Sequence, residues 1–237
     1  MLLFDNLTKI YAGGKVAVDG LNLEVQSGDV FGFIGHNGAG KTTAIKCAVG
    51  LTNVTSGDVF VDGVSISKNP IACKKLFAYV PDNPDVYEYL TGIQYLNFLA
   101  DVYKVGKEDR EKAIYSLTDK FEITDALGNV ISAYSHGMKQ KLVLTGAIFR
   151  RPRLLILDEP FVGLDPQSIV ALKEIMKELC NNGTAVFFST HVLDVAEKLC
   201  NKVAIIKQGK LVACGKTDEL TEGKSLEETF MEVVKNV

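Results

Sequence analysis

A chain of 237 residues with 47% hydrophobic content is long enough to bury a substantial core, which argues against disorder and fits one large domain or a core with an inserted subdomain. A formal net charge of −3 excludes a generally basic surface for nucleic acid, so any cationic patch must be local. The five cysteines, Cys47, Cys73, Cys180, Cys200 and Cys214, show no C-x-x-C spacing and an odd count, and are expected as reduced thiols of a cytosolic protein.

In chain order, the opening MLLFDNLTKIY lacks the basic-then-apolar pattern of a secretion signal and reads as a strand, as does VAVDGLNLEV. VFGFIG then runs as a strand into a glycine-rich loop, followed by a helix over KTTAIKCAVG that stops near Gly50. GDVFVDG reads as a hairpin arm and LFAYVP as another strand. From about residue 84 to 150 apolar positions fall at helical spacing, in TGIQYLNFLADVY, EKAIYSLTDKF and MKQKLVLTGAIF. Strand character returns at RLLILD, followed by a helix from about Pro166 to Gly183, the strand TAVFFST, a helix at VLDVAEKLC and the hairpin KVAIIKQGKLVACG. Alternating strands and helices imply an α/β fold around a parallel, doubly wound sheet. No apolar run approaches a membrane span.

The loop carries the first chemistry. Gly35, Gly40, Lys41 and Thr42 match G-x-x-x-x-G-K-[ST] between a strand and a helix, the context a phosphate loop requires. Backbone N–H groups from His36 to Thr43, across Asn37, Gly38 and Ala39, can converge on phosphate oxygens because the glycines permit close approach, and the helix start adds its positive dipole end. Lys41 would carry charge to the terminal phosphates and the Thr42 hydroxyl would bind Mg²⁺. No side-chain role is assigned to His36 or Asn37.

Most helix starts here carry acids, as in KEDRE near 107, LDPQ near 165, TDEL near 217 and SLEE near 225. Two do not: the helix after the loop has Lys41 and Lys46, and SHGMKQKL has His136, Lys139 and Lys141. A cation at a helix N-terminus costs about 0.3–1 kcal/mol when nothing compensates, so both starts await an anion, unless Ser135 simply caps an amphipathic helix with solvated lysines.

RLLILDEP ends an apolar strand with Asp158 and Glu159, whose side chains are expected on opposite sides of the sheet. At the crevice outside the strand ends, Asp158 would hold Mg²⁺ and Glu159 would act as general base toward an attacking water. His191 closes FFSTH at the same edge, within reach of a terminal phosphate.

Together and in this order, these segments resemble the nucleotide-binding subunit of ATP-binding cassette (ABC) transporters, along essentially the whole chain. GHNGAGKTT is similar to the Walker A loop, LLILDE to the Walker B strand, SHGMKQK to the signature segment, VGLDP with Asp165 to the D-loop, and His191 to the switch histidine. The resemblance implies a P-loop NTPase core with a small antiparallel β subdomain (1–83 and 151–237) and an inserted helical subdomain (84–150), forming a single ATPase domain. It implies ATP and Mg²⁺ as ligands, with Tyr11 stacking on adenine. It also implies a second cassette docked head to tail, which would receive Ser135, Gly137 and Met138 at its own ATP. The signature departs from L-S-G-G-Q and resembles the S-x-G-M-K-Q variant of some bacterial exporter cassettes. Where the family usually has glutamine after AYVP, this chain has Asp82, a shorter and anionic oxygen ligand for the metal, direct or through water.

The expected function is the ATPase subunit of a transporter, peripheral on the cytoplasmic face of the membrane beside a separate transmembrane permease subunit, with no nucleic-acid partner. The docking surface is expected after Asp82, where Tyr87, Tyr89, Tyr95, Phe98 and Tyr103 are interleaved, either as interface anchors or as helix core. The tail SLEETFMEVV resembles cassettes paired with export-type subunits. A soluble ABC-type ATPase of translation or DNA repair is the alternative; such relatives usually carry two cassettes in one chain, or coiled-coil or zinc insertions, and this sequence has neither. A non-hydrolysing regulator fits Lys41, Glu159 and His191 poorly.

Overall fold

Strand β1 (Leu2–Ile10) begins with the alternation a half-covered sheet demands, burying Leu2 and Phe4 and exposing Leu3 and Asp5. The period then slips by one residue: Asn6 takes φ 48°, the register with both neighbouring strands shifts, and Leu7 returns to the buried face. In the computed structural model, which describes residues 1–235, β1 pairs antiparallel with β2 (Val16–Val25) and with β4 (Ser56–Val61), and β4 turns into the short β5 (Val64–Ser65). This four-stranded sheet runs in the order β2-β1-β4-β5.

The second sheet has six strands, ordered β10-β9-β3-β8-β7-β6. Strands β6 (Phe77–Val80), β7 (Leu154–Asp158), β8 (Ala185–Thr190), β3 (Val30–Ile34) and β9 (Lys202–Lys207) are parallel, and β10 (Lys210–Lys216) closes one edge antiparallel. Every residue of β3, β7 and β8 is buried, because both faces of the sheet are covered. One face, with Phe31, Phe33, Ile156 and Phe187, packs toward the antiparallel sheet and helix α1 (Lys41–Ala48). Phe187 sits 5.4–5.9 Å, centroid to centroid, from Phe4, Phe31 and Phe33, and so joins the two sheets. A short helix, α2 (Pro70–Lys74), leads into β6; at five residues it is too brief to show a period.

The other face, with Ile34, Leu155, Leu157 and Phe188, shares one apolar cluster with the helices. The segment between β6 and β7 contributes α3 (Gly92–Val102), α4 (Lys107–Lys120) and α5 (His136–Ile148). Thr91 starts α3 with a capping box: its N–H donates to Gln94 Oε1 at 2.9 Å and its hydroxyl accepts from Gln94 N at 3.3 Å. Helix α5 departs from the expected amphipathic pattern, since all residues from Gln140 to Ile148 are buried. It lies against β6, α3 and α4 and has no solvent face along that stretch. Helices α6 (Pro166–Asn181), α7 (Leu193–Leu199), α8 (Thr217–Thr221) and α9 (Leu226–Lys235) complete the order. Among the described residues no helix is long and apolar enough to cross a membrane.

Candidate functional site

The loop from 35 to 40 leaves the C-terminal end of the central strand β3 and enters α1. Gly40 precedes that helix at φ 111°, and a Cβ there would lie 2.4 Å from the carbonyl oxygen of Ala17, while one on Gly35 would lie 2.6 Å from that of Ile206. The first turn of α1 has neither an acidic residue nor a side-chain cap, so its N–H groups face the loop's concavity without an internal acceptor of that kind. Lys41 is 5% exposed, and its ammonium donates to the carbonyl oxygens of Gly35 at 2.6 Å and His36 at 3.4 Å. Tyr11 lies just beyond β1, half-exposed, with its hydroxyl 3.4 Å from that of Thr43 and Lys9 over its ring at 5.0 Å.

Two parallel strands bring the carboxylates to this loop. Asp158, the last residue of β7, is fully buried; its Oδ1 accepts from Ser189 Oγ and, at 3.3 Å, from Thr42 Oγ1, while Oδ2 has no hydrogen-bond partner. Burial pushes this carboxyl above its usual pKa; the Ser189 and Thr42 hydroxyls oppose the rise, and the nearby charges of Asp82 and Glu159 add to it. Asp82 itself lies in the turn after β6, accepting from Asn83 N at 2.9 Å.

Glu159 does not continue the strand's alternation. It takes φ 47°, leaves β7, and turns its carboxylate to the same side as Asp158, where Oε1 lies 3.4 Å from Lys41 Nζ. The expected placement on opposite sides fails because the extended geometry stops at Asp158. Glu159 Oε2 lies 3.0 Å from His191 Nδ1, and Glu159 N donates to Ser189 Oγ at 3.0 Å. Ser189 thus touches the Asp158 carboxylate and the Glu159 backbone, a role the sequence alone does not announce. Its signal was a polar residue at the end of the apolar run in FFSTH.

A second cluster forms at the start of α5. Ser135 caps it, accepting from Met138 N at 3.2 Å. Both lysines there have carboxylate partners: Lys139 pairs with Glu88, and Lys141 reaches Asp165 at 2.6 Å. Asp165 also caps α6 through Ser168 N at 2.9 Å, and the Lys141 ammonium with that amide holds its carboxyl well below the usual range. A Cβ on Gly137 would lie 2.6 Å from the carbonyl oxygen of Gly163, and one on Gly163, at φ 80°, the same distance from His136 Cδ2. The start of α5 and the turn before α6 therefore interlock. No side-chain hydrogen bond or ion pair joins this cluster to the one around Lys41 among the described residues.

The Thr42 hydroxyl and the unpartnered Asp158 oxygen fit a small hard cation that draws its remaining ligands from phosphate. Lys41 and the uncapped α1 start fit the phosphates, and the Glu159–His191 pair fits proton transfer at their edge.

The family model described as ABC transporter matches residues 18–162. The ABC-type transporter ATP-binding protein EcsA of Bacillus subtilis (strain 168) is 34% identical, over 99% of this chain and 97% of EcsA. The SkfA peptide export ATP-binding protein SkfE of the same organism is also 34% identical, over 90% of this chain and 87% of SkfE. A solved structure described as an ATP binding subunit of an ABC transporter superimposes with a TM-score of 0.94 at 33% identity, covering 99% of each chain.

Proposed function

This chain belongs to the ABC transporter family as an ATP-binding ATPase subunit, and from that premise we propose that it powers substrate export through a separate membrane permease, peripherally at the cytoplasmic face. The observation that carries the reading is the convergence of Lys41, Glu159 and His191 at the uncapped start of α1, beside the unpartnered oxygen of Asp158. Backbone N–H groups of residues 36–43 and the Lys41 ammonium bind the phosphates, and Tyr11 stacks on the adenine. Thr42 and Asp158 would hold Mg²⁺, with Asp82 as a further oxygen ligand, and the bound ion would supply neutralisation of charge developing on the phosphates. Glu159 accepts the proton of the attacking water, and His191 orients that carboxylate through Nδ1. Ser135, Gly137 and Met138 serve the ATP of a second cassette.

Ser189 positions the Asp158 carboxylate and holds the Glu159 backbone. Ser189→Ala is expected to lower ATP turnover about tenfold, as loss of a supporting hydrogen bond typically does, with ATP affinity nearly unchanged. Steady-state kinetics separate the two.

The aromatic stretch after Asp82 divides in two. Tyr95 is buried core, whereas Tyr87, Tyr89, Phe98 and Tyr103 are exposed, Tyr89 to 78%. Beside them opens a cavity of about 260 Å³ whose walls include Leu51, Phe77, Tyr79, Leu99 and Tyr103, with the Arg150 guanidinium over Tyr103. A groove with both apolar and cationic walls, Lys74 and Arg150 among them, near exposed aromatics suits a short amphipathic helix of a membrane subunit. Export is supported by the likeness to SkfE, a peptide export protein, and by the tail SLEETFMEVV. The tagged protein is expected to retain a multispanning partner from gently solubilised membranes, cross-linked between residues 82 and 103. Capture of ribosomes or DNA-repair proteins instead would move the ATPase to a soluble role.

A further inference from the structure

The glycine loop meets the C-terminal helix. α9 opens with a capping box, Ser225 N donating to Glu228 Oε2 at 2.9 Å and Glu228 N to Ser225 Oγ at 3.1 Å. Two further bonds pin it: Leu226 N donates to Glu197 Oε2 of α7 at 2.8 Å, and Lys207 Nζ, at the end of β9, to the carbonyl oxygen of Val234 at 2.5 Å. From the buried face of this helix, Phe230, 3% exposed, meets the His36 ring edge-on, with centroids 4.9 Å apart and planes at 77°.

His36 begins the rim of the loop, directly after Gly35, and its carbonyl oxygen accepts from Ala39 N at 3.1 Å and from Lys41 Nζ at 3.4 Å. Two residues on, Gly38 sits at φ 82° with nothing within 4 Å of a Cβ placed there. A rim of this composition has large conformational freedom to lose when it closes on phosphate. A contact that already fixes one end lowers that cost at binding.

We infer that Phe230 is a positioning residue for ATP, and that α9 is a strap holding the glycine loop in its phosphate-binding conformation through the His36 ring. The inference rests on the reading that this loop binds ATP. Phe230 touches no phosphate; it acts on affinity through the loop alone.

The test is binding of a fluorescent ATP analogue to the full chain, with turnover measured in parallel. Phe230→Ala and Phe230→Leu are expected to weaken binding about two- to tenfold, the range of an edge-on aromatic contact, while Phe230→Tyr restores it. Turnover at saturating ATP stays within about twofold of wild type, which separates ground-state positioning from chemistry. Phe230→Leu keeps apolar volume in the core, so an effect in it is not that of an unfolded helix. Combining either variant with His36→Ala adds no further loss, because both remove the same contact. Wild-type affinity in Phe230→Leu, or losses that add with His36→Ala, overturns the strap while leaving the loop's role intact, provided Lys41→Ala abolishes binding. Absence of ATP binding by the wild-type protein overturns both.

Discussion

Glu159→Gln is expected to lower ATP hydrolysis by about 10²–10⁴-fold, the usual contribution of a positioned general base, and to retain ATP. The substitution keeps the size of the side chain but removes the proton acceptor and the charge that lies 3.4 Å from Lys41 Nζ and 3.0 Å from His191 Nδ1. On the proposed reading the glycine loop's contacts to nucleotide stay intact, so binding is expected to persist while the hydrolysis that would reopen a closed pair of cassettes is lost. Size-exclusion chromatography with Mg-ATP is expected to show an accumulated dimer, and phosphate-release assays the lost turnover. Unchanged hydrolysis in this variant would remove Glu159 from its proposed role.

Asp158→Asn is expected to act in opposite directions on activity and stability. On the proposed reading, without the anionic oxygen Mg²⁺ would be held at least about a hundredfold less well, and turnover would fall with it. Stability moves the other way. The folded-state pKa of Asp158 is raised by burial, so the stability this group contributes is present below the ordinary carboxylate range and is lost as pH rises through the raised value. When ionised, this carboxylate is a buried charge with one oxygen unpartnered, and asparagine removes that charge while keeping an acceptor for Ser189 and Thr42. In the presence of chelator Asp158→Asn is expected to melt above wild type at pH 8, with the difference shrinking as pH falls toward the ordinary carboxylate range. A variant less stable than wild type at pH 8 would contradict this account of the site.

Much of the architecture was legible because it depends on local pattern. Apolar runs such as LLILD and AVFFST read as strands covered on both faces, and the glycine loop declares both the strand before it and the helix after it. What the sequence concealed depends on contacts between distant segments. The lysines at the start of α5 looked uncompensated because Glu88 and Asp165 lie 51 and 24 residues away. The shared side of Asp158 and Glu159 depends on one left-handed residue that strand periodicity does not announce. Ser189 gained significance only when β8 was placed beside β7, and Asn6 hid a bulge within an otherwise regular alternation. The His36 ring gives the same lesson, since its neighbour Phe230 is 194 residues later in the chain.

The encasement of α5 bears on how quickly and how tightly its exposed end is met. From Gln140 onward the helix is held on every side, and its first turn is fastened by the Ser135 cap, the two lysine pairs and the close approach of Gly137 to Gly163. A surface fixed in this way has little side-chain or backbone entropy left to surrender when something docks on it, so the free energy of contact is not spent on ordering it. Encounter there is that of a rigid face, and the time a complex survives is set by how fast its contacts break.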